Sequence, residues 1–135
     1  MPDSTDLHPE MQVLIDAKAD LAPAETVEQM RADWNTYSGR LREPHPSDMT
    51  VEDRQVDGKD VSVPIRVYTP AAAQEAGPCV LYFHGGGFMK GDLDSSDTVA
   101  WGLAQETGYV VVSVDYRLAP EHPYPAAFDD CYAVL

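Results

Sequence analysis

Basic side chains are scarce in this 135-residue chain: nine Lys and Arg stand against 23 Asp and Glu, a formal charge of −14. An acidic excess of that size repels phosphate backbones and anionic lipid, so neither nucleic acid nor a membrane surface is an expected partner. The acidic groups are spread along the chain with no separable tail, the pattern of a well-solvated surface. Cysteine is nearly absent. Cys79 opens an apolar run and Cys131 falls in a helical pattern, positions where reduced cysteine acts as a small hydrophobe, so no disulfide framework is expected. The histidines His8, His45, His84 and His122 show no ligand spacing with cysteine or carboxylate, and neither a metal nor an organic cofactor is expected. No apolar run approaches membrane-spanning length, and the first ten residues lack the basic and apolar regions of a secretion signal. The expected location is cytoplasmic.

What is present is ordinary globular material. Apolar residues make up 44% and charged residues 24%, enough for a core in one compact domain. Residues 9–19 predict a helix with Met11, Leu14 and Ile15 on one side, closed by Pro23. Thr26, with Gln29 three residues on, forms a capping-box pattern for a second helix. Val27, Met30, Trp34 and Tyr37 give it an apolar stripe expected to be buried, with Gly39 as a stop. Pro44-His45-Pro46 marks a linker, so residues 1–46 separate from 47–135 as a helical segment preceding the main unit.

The period then changes. Val61, Val63, Ile65 and Val67 alternate with polar or smaller partners, a half-buried strand, and residues 50–56 predict a weaker one before it. Asp57-Gly58 between them is a hairpin signal. Pro64 has no N–H to donate, so one side of this strand is unpaired at that point or lies near a sheet edge. Residues 79–83 and 109–114 are unbroken apolar runs, expected as strands covered on both faces. Between them Val99, Ala100, Leu103 and Thr107 trace a helix face, with Asp94, Ser95 or Ser96 as caps and Gly108 as the stop. Strand, helix, strand makes a βαβ unit with a right-handed crossover. A further helix begins near residue 125, with Phe128, Cys131, Tyr132 and Leu135 on one face. Such a helix normally returns the chain to another strand, so the expected architecture is an incomplete α/β fold.

One motif carries chemistry. His84-Gly85-Gly86-Gly87-Phe88 follows the strand at 79–83 directly. Three consecutive glycines cost backbone entropy, and what they offer is a sharp turn that aims successive N–H groups at one point. That geometry suits the negative oxygen that develops in acyl transfer. A plain glycine-rich turn and a phosphate loop are the alternatives. The second is weak, because neither a dinucleotide fingerprint nor a Lys-Ser/Thr ending is present.

Together with Gly91-Asp92 and the run Val114-Asp115-Tyr116-Arg117-Leu118-Ala119-Pro120-Glu121-His122-Pro123-Tyr124-Pro125-Ala126-Ala127, this loop resembles the hormone-sensitive-lipase-like microbial esterases over about residues 50–135. The resemblance implies an α/β-hydrolase fold, a mostly parallel sheet whose active site is covered by a cap that residues 1–46 resemble. It implies that the N–H groups of Gly86 and Gly87 form the oxyanion hole and that His84 braces the loop without being the catalytic histidine. It also implies that Asp115, Tyr116 and Arg117 are scaffold. Read alone, Asp115 and Arg117 at a strand end suggest a partly buried ion pair. Phe88 is a candidate substrate contact. His122 beside Glu121 invites an acid–base reading, which the structural use of this turn in the family argues against.

The departures are as informative. The family's nucleophile sits in a Gly-x-Ser-x-Gly turn, followed by an acid and a histidine. Ser4, Ser38, Ser47, Ser62, Ser95, Ser96 and Ser113 have no such context. The expected function is therefore the N-terminal, oxyanion-hole part of a serine carboxylic ester hydrolase acting on small-molecule esters. The 135-residue chain ends before the nucleophile elbow and is expected to be inactive alone. In the family's sheet the strand matching 79–83 would lie beside the nucleophile-bearing strand, leaving one apolar edge unpaired here. The alternative is a non-catalytic small-molecule-binding module of the same fold.

Overall fold

The computed structural model describes residues 8–58 and 61–135. A 3-10 turn at Pro9–Met11 leads into α1 (Gln12–Asp16), followed by α2 (Val27–Arg40). Then come β1 (Thr50–Asp57), β2 (Ser62–Thr69), β3 (Cys79–Phe83), α3 (Asp97–Thr107), β4 (Val110–Val114) and α4 (Ala126–Ala133). The four strands form one sheet in the order β1-β2-β4-β3. β1, β2 and β4 pair antiparallel, while β3 and β4 are parallel and joined through α3.

The middle of the sheet, β2 and β4, is covered on both faces. On one side Val63, Ile65, Val67, Val114 and Tyr116 form a core against Ala127 and Cys131 of α4 and its C-cap Val134. On the other, Tyr68 and Val111 pack against Ala100 and Ala104 of α3, with Trp101 beside them. Two alanines facing the sheet let α3 approach it closely. Val99 and Leu103, expected on the buried face, are exposed, and Asp97 is buried in their place. The larger apolar side chains of this helix lie off the contact line, which the small residues occupy.

Other expectations shift in similar ways. Asp57 pairs with Ser62, so the hairpin turn is wider than two residues. Gly58 donates to the Val61 carbonyl at 3.0 Å, and residues 59 and 60 lie outside the described residues, as do Ser4 and the other residues of 1–7 within the stretch read for a secretion signal. Pro64 sits one residue beyond the β2–β4 ladder, and its carbonyl accepts from Asp115 N–H at 3.0 Å. Its missing N–H faces the same side, where the ladder has already ended. β2 is therefore interior and the proline is accommodated at a ladder end. β3 is at the sheet edge and only half-buried, not covered on both faces.

The N-terminal helices follow their sequence signals closely at the start of α2. Thr26 caps it by accepting from Gln29 N–H at 3.1 Å, and Gln29 Oε1 accepts from Glu25 N–H at 3.0 Å. Gly39 does not stop the helix, which runs to Arg40. The stripe Val27, Met30, Trp34, Tyr37 is half-buried and contains no fully buried residue. No helix of the described residues is long and apolar enough to cross a membrane, and Cys79 and Cys131 are both free.

Candidate active site

A parallel pair of strands directs its carboxyl ends to one side of the sheet, where loops can leave a crevice. The segments leaving β3 and β4 there are His84–Gly91 and Asp115–Tyr124. They flank a cleft of about 820 Å³. Its walls are mainly aromatic: Phe83, Phe88, Tyr124, Phe128 and Tyr132 line it with the glycines of the β3 loop. The face of α4 expected from sequence is real, but Phe128, Tyr132 and Leu135 turn it to this cleft and not to the core.

Two of the three glycines take backbone angles that side chains avoid. Gly86 has φ 138° and Gly87 φ 63°, and Phe88 continues at φ 61°, a left-handed value uncommon for a residue with a side chain. The Gly86 carbonyl accepts from both Met89 and Lys90 N–H, at 3.2 and 3.3 Å. This tight turn leaves the N–H groups of Gly86 and Gly87 without a protein acceptor among the described residues. Such groups, lining an apolar cleft, are suited to hold an anionic oxygen.

His84, which opens the loop, is almost fully buried. Its ring stacks on Tyr116 with centroids 4.2 Å apart, and Nδ1 lies 3.0 Å from the Gly85 carbonyl. A carbonyl only accepts, so this contact is a hydrogen bond when Nδ1 carries a proton. The Tyr116 hydroxyl donates to the His84 carbonyl at 2.6 Å, and burial pushes its pKa up to about 12. Gly91, at φ 101°, passes so close that a Cβ there would run into His84 Nδ1 and lie 2.8 Å from the Gly85 oxygen.

Asp115 and Arg117 do not pair with each other. Arg117 makes a forked contact to Asp130 on α4, Nη2 to Oδ1 at 2.8 Å and Nε to Oδ2 at 2.9 Å. The backbone N–H of Arg117 donates to the same carboxylate at 2.8 Å. Residues two apart at a strand end share a side but need not meet, and the buried Asp130 offers a bidentate geometry. Asp115 is half-buried, and desolvation raises its pKa, partly offset by the nearby His84. Glu121 is likewise engaged elsewhere, with Arg31 of α2: Nη1 to Oε1 at 2.8 Å and Nη2 to Oε2 at 2.7 Å. That hydrogen-bonded pair holds the Glu121 pKa down to about 2, so this carboxylate is no proton donor for His122 at neutral pH. Cys131, the thiol in the cleft, is pushed up to about 11 by burial and by Asp130. It stays protonated at neutral pH and is no nucleophile.

The Glu121 shift fixes a pH window. A carboxylate whose folded pKa lies below its ordinary 4.5 contributes stability that is complete above 4.5 and lost on the way down to about 2. The difference in urea midpoint between wild type and Glu121→Gln should therefore be flat from pH 7 to about 5 and shrink below 4.5. A difference that disappears already at pH 6 would contradict the assignment.

Three features escaped sequence reasoning. One is Arg31 and another is Asp130, the partner of Arg117. The third is Asp97 at the start of α3, whose side chain is 0% exposed. It accepts from Tyr68 Oη at 2.8 Å and from Arg66 Nη1 at 3.0 Å, and it lies 2.7 Å from His45 Nε2. Arg42 Nε reaches it at 3.3 Å. Burial opposes its charge, yet these donors leave the pKa below its ordinary value. The available signal was an acidic residue at the same helical phase as Ala100 and Ala104, a position that burial permits only with partners.

A family model described as alpha/beta hydrolase fold matches residues 80–135. Carboxylesterase NlhH of Mycobacterium tuberculosis is 41% identical over 135 aligned residues, covering 96% of this chain and 41% of NlhH. Ethyl acetate hydrolase of Pseudomonas putida is 44% identical over 96 residues, 69% of this chain and 29% of that enzyme. Among solved structures, the hyperthermophilic esterase of the archaeon Pyrobaculum calidifontis superposes with a TM-score of 0.80 at 40% identity, over 95% of this chain and 42% of its own. The chain thus spans less than half the length of these relatives.

Proposed function

The chain belongs to the hormone-sensitive-lipase-like α/β-hydrolases, and on that premise we propose that it carries the oxyanion-stabilising part of a carboxylic ester hydrolase. Gly86 and Gly87 are the donors, His84 braces their loop, and Phe88 contacts a small-molecule ester in the cleft. Residues 1–46, of which 1–7 lie outside the described residues, are the cap. The observation that carries this reading is the pair of N–H groups at positive φ, without protein acceptors among the described residues, at the carboxyl end of β3 beside an apolar cleft.

In such a hydrolase a serine oxygen adds to the ester carbonyl while a histidine takes its proton. The carbonyl oxygen becomes negative in the tetrahedral intermediate, and the two N–H groups stabilise it there more than in the planar ester. Collapse expels the alcohol, which receives the proton, and leaves an acyl-enzyme for water. One donor of this kind is worth about 3–4 kcal/mol of barrier. None of the chain's serines lies in a Gly-x-Ser-x-Gly turn, and burial beside Asp130 disfavours the Cys131 thiolate. Residues 1–135 therefore stabilise a charge they have no group to create.

Residues 1–135 alone should hydrolyse p-nitrophenyl acetate no faster than a denatured control, and saturable turnover would refute the assignment of roles. Butyrate, whose carboxylate resembles the oxyanion, should shift the Gly86 and Gly87 amide resonances saturably; no shift at either would remove the oxyanion reading. An in-frame Gly-Asp-Ser-Ala-Gly-Gly or similar turn beyond codon 135 would supply the nucleophile, and unrelated sequence there favours a binding module.

A further inference from the structure

Helix α2 has no fully buried residue, and it is tied to the glycine loop by three side chains from one of its faces. Arg31 Nε donates to the Met89 carbonyl at 2.7 Å, Lys90 Nζ lies 4.3 Å from the centre of the Trp34 ring, and Asn35 Nδ2 donates to Asp92 at 3.0 Å. Arg31 does most. Besides Met89 it reaches the Ala119 carbonyl through Nη2 at 2.9 Å and grips Glu121 with both Nη atoms. Ala119 N–H in turn donates to the Phe88 carbonyl at 2.8 Å. Two successive carbonyls of the loop, Phe88 and Met89, are thus fixed from outside, one by the Ala119 turn and one by a guanidinium that also holds that turn.

This matters because Phe88 is in the left-handed region, a strained conformation for a residue with a side chain that persists only where its surroundings over-determine it. The turn closed on the Gly86 carbonyl by Met89 and Lys90 N–H depends on the same segment. Releasing the Met89 carbonyl frees the segment to rotate, and the Gly86 and Gly87 N–H groups rotate with it.

We propose that Arg31 is a positioning residue for the oxyanion loop, through which α2, when seated, sets the Gly86 and Gly87 N–H groups. It touches no reacting atom. The inference rests on the oxyanion reading above for its meaning, though not for its geometry. A guanidinium is required because its planar fork meets three acceptors in different directions, whereas an ammonium is a point charge.

The test compares Arg31→Met and Arg31→Lys with wild type in the full chain, by amide hydrogen exchange and by butyrate titration. Arg31→Met should speed exchange at the Met89 and Lys90 amides at least tenfold, leave β4 amides unchanged, and weaken butyrate at least fivefold. Arg31→Lys should fall between. Loop exchange within twofold of wild type overturns the proposal, and so does an equal rise across β4, which would mean general loosening. If wild type itself ignores butyrate, the oxyanion reading fails, while the exchange arm still decides whether Arg31 holds the loop.

Discussion

Replacing Asp97 with alanine is expected to cost the fold about 3–5 kcal/mol, a fall of roughly 2 M in the urea midpoint. The carboxylate is wholly enclosed, and it joins pieces that nothing local would bring together. Tyr68 and Arg66 come from β2, Arg42 and His45 from the segment after α2, and Asp97 itself opens α3. Truncation leaves the Tyr68 hydroxyl buried with no acceptor and removes one of the three carboxylates around Arg66. Arg66 keeps Asp53, at 2.6 and 3.0 Å, and Asp94 at 2.9 Å, so the loss falls first on Tyr68 and on the docking of the 40–46 segment.

Two companions sharpen the result. Asp97→Asn retains an acceptor for Tyr68 but loses the charge, and should cost about 1–3 kcal/mol. Asp94→Ala removes a mostly exposed partner of the same arginines and should stay within about 1 kcal/mol of wild type. The Asp97 contribution also has a sign with pH. Its pKa is lowered, so the stability is complete above the ordinary value of 3.8 and fades as pH falls below it. Asp97→Ala within about 1 kcal/mol of wild type would show that the buried cluster is not a stabilising joint.

The fold was largely legible because it is written in local periods. Alternation in β2, the unbroken runs of β3 and β4, the Thr26 cap and the Gly108 stop each depend on neighbours a few residues away. The glycine loop was legible for the same reason, as a short motif at a strand end. What stayed hidden is long-range and polar. Arg31 finds Glu121 90 residues away, Asp97 finds His45 across 52 residues, and Arg117 chooses Asp130 over its near neighbour Asp115. Charged residues have no period that marks their partner, since many pairings are compatible with one pattern. Side-chain size misled as well. In α3 the smaller residues face the sheet because close approach favours them, and Val99 and Leu103 are left outside.

Alanine substitution along the loop should separate the three glycines by their backbone, with Gly86→Ala the most damaging. At Gly85 a Cβ meets open space and the backbone is unstrained, so the change should be nearly neutral in stability. Gly87, at φ 63°, also has open space, and alanine there pays only the left-handed penalty of about 1–2 kcal/mol. At Gly86 a Cβ would overlap the Lys90 carbonyl oxygen and lie 2.8 Å from its carbon, at a φ of 138° that side chains avoid. Neither atom can yield without opening the turn that Met89 and Lys90 close on the Gly86 carbonyl. Gly86→Ala should therefore abolish the butyrate-induced shifts and raise loop exchange to the level of an unstructured segment, while Gly85→Ala keeps both near wild type. In a hydrolase that contains this loop, the loss of one oxyanion donor corresponds to about a 10²–10³-fold fall in kcat. Equal tolerance of alanine at Gly85 and Gly86 would mean that the turn is not fixed by that carbonyl contact, and the N–H groups would then have no defined aim.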